Sequence, residues 1–202
     1  MPQDTLRVKT GETPPQNRSI LLIALGSNMS SDVGSPSDAL QNAVVKLEES
    51  GAVIRAQSRF FQTSAVPAGS GPDFVNAALC IDAPWSATEA IARLHEIEAQ
   101  LGRRRVTRWE QRVIDLDLLA HGDSIRPNVA TVRTWMDLPQ NEQQAKAPGQ
   151  LLLPHPRMHE RAFVLVPLAD VAPDWIHPIT RRSVSQMRDA LPEADRNAVI
   201  PL

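Results

Sequence analysis

The sequence has little cysteine, little net charge and no long apolar run, and each of these excludes a class of protein. A single cysteine among 202 residues, Cys80, cannot form an internal disulfide and suits a reducing compartment. A formal net charge of -2 at pH 7 provides no global basic field that would attract nucleic acid. The N-terminal segment has no apolar h-region, so no signal peptide is predicted, and no stretch of about 18 apolar residues occurs, so no membrane span is predicted. We expect a cytoplasmic protein that binds neither nucleic acid nor membranes.

Length and composition favour one globular domain with extensions. With 42% hydrophobic residues the chain can bury a core, and we expect a single domain over residues 19–202 after a flexible extension over residues 1–18. Residues 124–149 are polar and rich in proline, which predicts an insertion with at most a short helix over residues 141–147. The tail from Pro173 onward is expected to pack loosely.

Apolar spacing predicts the order strand, helix, strand, strand, helix, strand. The strands cover residues 20–25, 53–63, 74–82 and 113–120. Ser37 is the expected cap of the first helix and Gly51 its end, whereas Ser86 and Glu89 form a capping box for the second helix. A third helix is predicted over residues 159–171, with Pro167 kinking or splitting it. This order is typical of an α+β, ferredoxin-like βαββαβ sandwich, with an antiparallel sheet, helices on one face and a C-terminal extension.

The segment RVIDLDLLA places two carboxylates in the last of these strands. Since alternate side chains of a strand share a face, Asp115 and Asp117 point the same way, roughly 7 Å apart. Like charges this close are costly without a cation, and oxygen ligands with room for water and phosphate suit Mg²⁺. The alternative is the solvated face of an amphipathic strand.

Cationic side chains flank the two carboxylates in sequence and suggest a polyphosphate site. They are Arg103, Arg104, Arg105, Arg108 and Arg112 upstream, and His155, Arg157, His159 and Arg161 downstream. Guanidinium groups bind phosphate oxygens through a planar, permanently charged fork, so the set suits a nucleoside triphosphate. The alternative for residues 103–105 is a solvated, salt-bridged loop, and Arg104 is the residue that we most expect to be of this kind. The alternative for His155 is a turn histidine.

The remaining motifs concern how the nucleotide and an acceptor are bound. No GxxxxGK[ST] sequence occurs, and LGSN at residues 25–28 lacks the lysine, so a P-loop kinase is not expected. Aromatic residues are scarce, and Phe74, Asn76 and Phe163 are the candidates for binding a flat acceptor.

Four segments, in this order, resemble the 6-hydroxymethyl-7,8-dihydropterin pyrophosphokinase family. They are LIALGSN, FFQTSAVPAGSGPDFVNAAL, IEAQLGRRRVTRWEQRVIDLDLL and LPHPRMHERAFVLVPLADVAP. The resemblance covers most of the chain from residue 20 to about residue 178. The resemblance implies transfer of pyrophosphate from the co-substrate ATP to the pterin hydroxymethyl group, with release of AMP, in folate biosynthesis.

The resemblance also implies a role for individual residues. Asp115 and Asp117 would bind two Mg²⁺ ions and, with Arg103, Arg105 and Arg112, would form the catalytic set. The ATP contacts would be Glu98, Arg103, Arg105, Trp109, Arg112, His155 and Arg161. The pterin contacts would be Thr63, Val66, Phe74, Asn76 and Phe163.

Two other functions remain open at this stage. The same βαββαβ order serves RNA-binding modules, although ALGSN and DLDLL replace the aromatic residues such modules need. The second open function is that of a non-catalytic partner protein with a pyrophosphokinase fold. It stays open because Glu110 and Gln111 replace the family's usual Gly-Pro pair.

Overall fold

The computed structural model describes residues 18–32, 34–65, 71–102, 113–139, 142 and 147–202. Its first part follows the predicted element order with one additional strand: β1 (Ser19–Ser27), α1 (Pro36–Glu49), β2 (Val53–Gln57), β3 (Phe61–Thr63), β4 (Phe74–Ala83), α2 (Ala87–Gln100) and β5 (Asp115–His121). The second part contains α3 (Val129–Met136), a 3₁₀ turn (Met158–Glu160), α4 (Ala162–Val171), α5 (Val184–Asp189), α6 (Glu193–Asn197) and β6 (Ile200–Pro201).

One antiparallel sheet holds these elements together. Its strand order is β5, β1, β4, β3, β6, and β2 also pairs with β4. The predicted α+β class with an antiparallel sheet is therefore confirmed. The stretch predicted as one strand over residues 53–63 is two, since the chain leaves the ladder between Gln57 and Phe61.

Local capping chemistry explains the two helices that follow β1 and β4. The capping box of α2 is confirmed: Glu89 N donates to Ser86 Oγ, and Ser86 N donates to the Glu89 carboxylate at 2.7 Å. The predicted cap Ser37 of α1 is wrong. Ser35 caps α1, because Pro36 lacks an N–H and suits the first helical position.

Helices cover both faces of the sheet, so the prediction of helices on one face is wrong. One core lies between the sheet and α1 and α2, and includes Ile23, Leu40 and Leu94. A second core lies on the other face, where Leu22 and Ala78 pack with apolar side chains of α4 and α5. The second layer exists because α4 is apolar on most of its surface.

The C-terminal tail does not pack loosely as predicted. Val184 is 0% exposed and Met187 3%, and β6 pairs with β3 at the edge of the sheet. The predicted third helix is interrupted at Arg161, between the 3₁₀ turn and α4, whereas α4 runs through Pro167.

The predicted insertion contains a helix that was not expected at that place. α3 covers Val129–Met136, and Asn128 caps it by accepting a hydrogen bond of 2.9 Å from Thr131 N. Only residues 142 and 147 of the predicted helix over 141–147 are described. In the predicted N-terminal extension, residues 1–17 lie outside the described residues, whereas Arg18 binds the Asp82 carboxylate at 2.9 Å. No helix among the described residues is long and apolar enough to cross a bilayer.

Candidate active site

The two predicted metal-binding carboxylates lie on one face of β5, the outer strand of the sheet. In the antiparallel pair, Asp115 lies opposite Gly26 and Asp117 opposite Ala24. Both aspartates are half-buried, whereas Leu116 and Leu118, which alternate with them, are 4% and 3% exposed in the core with α1 and α2. The predicted alternation of β5 is therefore confirmed.

Gly26 connects the carboxylates to the predicted acceptor residues. It lies opposite Asp115 on one side and opposite Asn76 on the other, and directly paired residues point to the same face of a sheet. With neighbouring strands about 4.8 Å apart, Asp115 and Asn76 are roughly 10 Å apart across the glycine. A Cβ atom at Gly26 would lie 3.3 Å from Asn76 Oδ1. Glycine therefore leaves the sheet face between Asp115 and Asn76, which we call the floor of the site, free of side-chain atoms.

Three predicted acceptor residues meet on β3 and β4. Asn76, only 5% exposed, donates from Nδ2 to Thr63 Oγ1 at 2.8 Å, and Thr63 lies opposite Phe74. Phe163 comes from α4, is 42% exposed, and has the Arg161 guanidinium 5.6 Å from its ring centroid. Val66 lies outside the described residues.

A cavity of about 480 Å³ lies beside β5 and contains several predicted phosphate contacts. Its lining combines acidic and basic groups with apolar side chains from α2, β5 and the segment before the 3₁₀ turn. The lining residues are Ile91, His95, Leu116, Asp117, Leu118, Trp135, Pro148, Gln150, Leu151, Leu152, His155, Pro156, Arg157 and Arg161. The structure thus brings Asp117, His155 and Arg161 together in one cavity.

His155 is held as a neutral hydrogen-bond donor. Burial lowers its pKa to about 3, and the positive charges of Arg161 and Arg157 act in the same direction. Arg157 N donates to His155 Nδ1 at 3.1 Å, so the neutral ring carries its proton on Nε2. The backbone N–H of His155 donates to the backbone oxygen of Leu119 at 2.8 Å, and this hydrogen bond connects the turn to β5.

The cationic groups of the cavity differ in their surroundings. Burial lowers the pKa of Arg161, and attraction to the Asp117 carboxylate opposes that shift. Arg157 Nε donates to Glu160 Oε1 at 2.7 Å. Glu98 is 2% exposed, accepts a hydrogen bond of 2.8 Å from Leu116 N and does not line the cavity. It therefore fixes the outer edge of β5.

The donor set fits Mg²⁺ better than a metal that needs a protein cage. Among the described residues no group of three or more His, Cys, Asp or Glu side chains could hold a metal ion. Two carboxylates on one face leave the remaining ligand positions to water and substrate phosphates, which is how Mg²⁺ is commonly bound. The predicted contacts Arg103, Arg105, Trp109 and Arg112 lie outside the described residues.

Comparison with known families agrees with this geometry. The family model described as 7,8-dihydro-6-hydroxymethylpterin-pyrophosphokinase (HPPK) matches residues 22–173, which include both β5 and the acceptor strands. The chain belongs to the HPPK family.

Curated HPPK relatives match over most of this chain. Proteins named 2-amino-4-hydroxy-6-hydroxymethyldihydropteridine pyrophosphokinase are 31% identical in Synechocystis sp. over 93% of this chain and 83% of that protein, and 35% identical in Bacillus subtilis over 75% and 77%. The Haemophilus influenzae protein of that name is 34% identical over 77% and 83%.

Solved structures show the same fold. The wild-type HPPK-DHPS of Plasmodium falciparum with pteroate superposes with a TM-score of 0.59 at 13% identity, over 85% of this chain and 42% of that chain. A structure of HPPK-DHPS in complex with substrates gives 0.57 at 12% identity, over 86% and 43%. The chain spans less than half of these larger proteins, and at this identity the likeness concerns the fold alone.

Sequence analysis missed residues that hold the HPPK site together. Ser27, 0% exposed, donates from Oγ to Val113 O at 2.6 Å, and Asn28 donates from Nδ2 to Pro72 O at 3.4 Å. Both lie in LGSN, a segment that belongs to the family resemblance but in which no individual residue was predicted to have a role. Trp135 was not predicted to line the cavity either, and the scarcity of aromatic residues was the one signal that pointed to it. Arg157, by contrast, belongs to the predicted set of cationic side chains downstream of the carboxylates.

Proposed function

We propose that this protein binds ATP beside β5 and a pterin beside Asn76, and that both substrates react over the sheet face around Gly26. As a member of the HPPK family it is an ATP-dependent pyrophosphokinase of folate biosynthesis. It transfers pyrophosphate from ATP to 6-hydroxymethyl-7,8-dihydropterin. The residue roles and the metal below are our proposal.

One observation carries the assignment of the site. Asp115 and Asn76 lie on the same face, on either side of a residue without a side chain. A phosphate chain held near the carboxylates and an acceptor held near the amide would therefore lie over one continuous floor. Holding two reactants in this way removes much of the entropic cost of a reaction between two molecules.

Asp115 and Asp117 would hold two Mg²⁺ ions together with phosphate oxygens. When bound, Mg²⁺ would neutralise phosphate charge and lower the pKa of a coordinated hydroxyl. In the transfer, the acceptor hydroxymethyl oxygen forms a bond to the β-phosphorus. The bond from that phosphorus to the oxygen bridging the α- and β-phosphates breaks, AMP leaves with that oxygen, and the hydroxyl proton passes to solvent.

The basic groups of the cavity would bind the anionic part of ATP. Arg161, near Asp117, and the Nε2–H of His155 supply donors for phosphate oxygens, and Arg157 adds a further cation. Arg103, Arg105 and Arg112 would complete the charge stabilisation in transfer, and Trp109 would contact the nucleotide. A direct contact of Glu98 with ATP stays a prediction beside its bond to Leu116.

The acceptor residues would select a flat heterocycle. Asn76, fixed by Thr63, would hydrogen-bond the pterin, whereas Phe74 and Phe163 would flank its ring and Val66 would contribute backbone at its edge. A cytoplasmic location and the absence of nucleic-acid and membrane binding also remain part of the proposal.

Incubation of the purified protein with ATP, Mg²⁺ and 6-hydroxymethyl-7,8-dihydropterin tests the function. We expect AMP to form only when the pterin is present, and to stop forming when EDTA removes the metal. Matched reactions without pterin, and with excess Mg²⁺ restored, are the controls. A folded protein that binds ATP but forms no AMP would contradict the proposal and favour the non-catalytic partner function.

A further inference from the structure

Trp135 comes from a helix inside the segment predicted as an insertion, yet it lines the same cavity as Asp117 and Arg161. It is half-buried, so part of its indole surface stays accessible. Among the described lining residues it is the only Trp, Phe or Tyr. A residue of α3 therefore contributes to a cavity that we assign to ATP.

Several contacts hold α3 in this position. Val132 is 0% exposed, and residues three apart lie on the same side of a helix, so Val132 anchors the side that carries Trp135. Before α3, Arg126 and Leu153 exchange two backbone hydrogen bonds of 2.9 and 3.0 Å. Leu153 lies two residues before His155, so α3 and the wall that carries His155 are attached to the same short backbone bridge.

The lining of the cavity includes two kinds of side chain. Asp117, His155, Arg157 and Arg161 carry charged or hydrogen-bonding groups, whereas Leu116, Leu118 and Leu151 are apolar and line the cavity with Trp135. A nucleoside triphosphate has the same division, with a charged phosphate chain and a flat base. Bases stack readily on aromatic side chains, and the contact depends little on their hydrogen-bonding edge.

We propose that Trp135 stacks on the nucleobase of ATP and makes α3 a determinant of nucleotide affinity. This inference rests on the proposed function only in that ATP is taken as the ligand of the cavity. Trp135 would act in binding and not in the transfer itself, because the reacting phosphates belong beside the charged groups Asp117 and Arg161.

The test compares Trp135→Ala and Trp135→Phe with the exposed neighbour Thr134→Ala, on the full chain. Calorimetry measures the affinity for Mg²⁺-ATP and for Mg²⁺-tripolyphosphate, which has phosphates and no base. We expect Trp135→Ala to weaken ATP binding about tenfold and leave tripolyphosphate binding unchanged, with Trp135→Phe intermediate and Thr134→Ala like the parent. In steady-state kinetics the Michaelis constant of Trp135→Ala for ATP should rise, whereas its kcat should stay within about twofold of the parent value.

Unchanged ATP affinity in Trp135→Ala, or an equal loss for ATP and tripolyphosphate, would overturn the inference. Should Trp135→Ala fail to fold, the fluorescence change on adding ATP decides the matter: it should shrink in Trp135→Phe relative to the parent, and an unaltered change would contradict stacking. A parent protein that makes no AMP, yet loses ATP affinity on Trp135→Ala, would overturn the proposed function and support the stacking.

Discussion

Asn76 donates from Nδ2 to Thr63 Oγ1 at 2.8 Å, across two strands and on the face that carries the aspartates. The bond fixes the orientation of a buried amide, and its Oδ1 atom lies on the side of Gly26. An amide that is oriented before the substrate arrives loses less entropy on binding.

Thr63→Val should therefore weaken acceptor binding. Valine has nearly the shape of threonine but accepts no hydrogen bond, so the Asn76 amide would be buried without this partner, at a cost of about 1–3 kcal/mol. We expect the Michaelis constant for the pterin to rise about tenfold while the affinity for ATP stays unchanged. Thr63→Ser keeps the acceptor oxygen and should behave like the parent. An equal rise of the Michaelis constant for the pterin in Thr63→Val and Thr63→Ser would rule out the hydrogen bond between Asn76 and Thr63 as the cause.

Gly26→Ala tests whether the floor between Asp115 and Asn76 must be clear. The new Cβ atom would lie 3.3 Å from Asn76 Oδ1, a tighter contact than usual, in the middle of the sheet. We expect turnover to fall about tenfold or more with a modest loss of thermal stability. Gly149→Ala, where a Cβ atom meets nothing within 4 Å, is the matched control. Parent-like turnover of Gly26→Ala would show that the substrates do not meet over this glycine.

The carboxylates can be tested without removing their shape. Asp115→Asn and Asp117→Asn each keep the side-chain volume but remove a negative charge, so Mg²⁺ should bind more weakly. Turnover should fall about a hundredfold or more, with an increased Mg²⁺ requirement. Titration of AMP formation against Mg²⁺ is the measurement, and circular dichroism monitors the fold. Asp174→Asn, at an exposed position, is the control. Near-parent turnover in either variant would remove that aspartate from the metal site.

Local patterns predicted the parts of the site that depend on neighbours in sequence. The alternation around Asp115 and the capping box of Ser86 and Glu89 each involve residues within a few positions, and both are observed. The predicted cap Ser37 is wrong because Pro36 takes the first helical position, which makes Ser35 the cap. Local chemistry therefore determines element type well and element ends less well.

The remaining features depend on contacts between distant segments. Trp135 reaches the cavity because Arg126 pairs with Leu153, and no local pattern in the polar segment between them encodes that pairing. The helix α5 buries only Val184 and Met187, too few residues to show a period in the sequence. α5 therefore left no signal in the sequence, whereas α4 lies within the predicted third helix and only its place on the second face of the sheet was missed.

His177 is in ring contact with Trp175, which packs against the second core, and it links stability to pH. It is 0% exposed, and its Nδ1 accepts hydrogen bonds of 3.2 Å from both Ile179 N and Thr180 N. Burial, and next the charge of His159, lower its pKa from 6.5 to about 4. Between these two values the unfolded chain binds a proton at this position and the folded chain does not. The free energy of unfolding should therefore decrease as pH falls through this window and be independent of His177 above it.

His177→Asn should make that dependence less steep. The asparagine Oδ1 can replace Nδ1 as the acceptor for Ile179 N and Thr180 N but does not titrate. We expect the variant to be less stable than the parent at pH 7.5, because the ring contact with Trp175 is lost. Between pH 6 and 4.5, however, its unfolding should take up about one proton fewer. Urea unfolding at a series of pH values measures both effects. If the free energies of unfolding of the parent and of His177→Asn change with pH in parallel through this range, His177 titrates alike in the folded and unfolded chains.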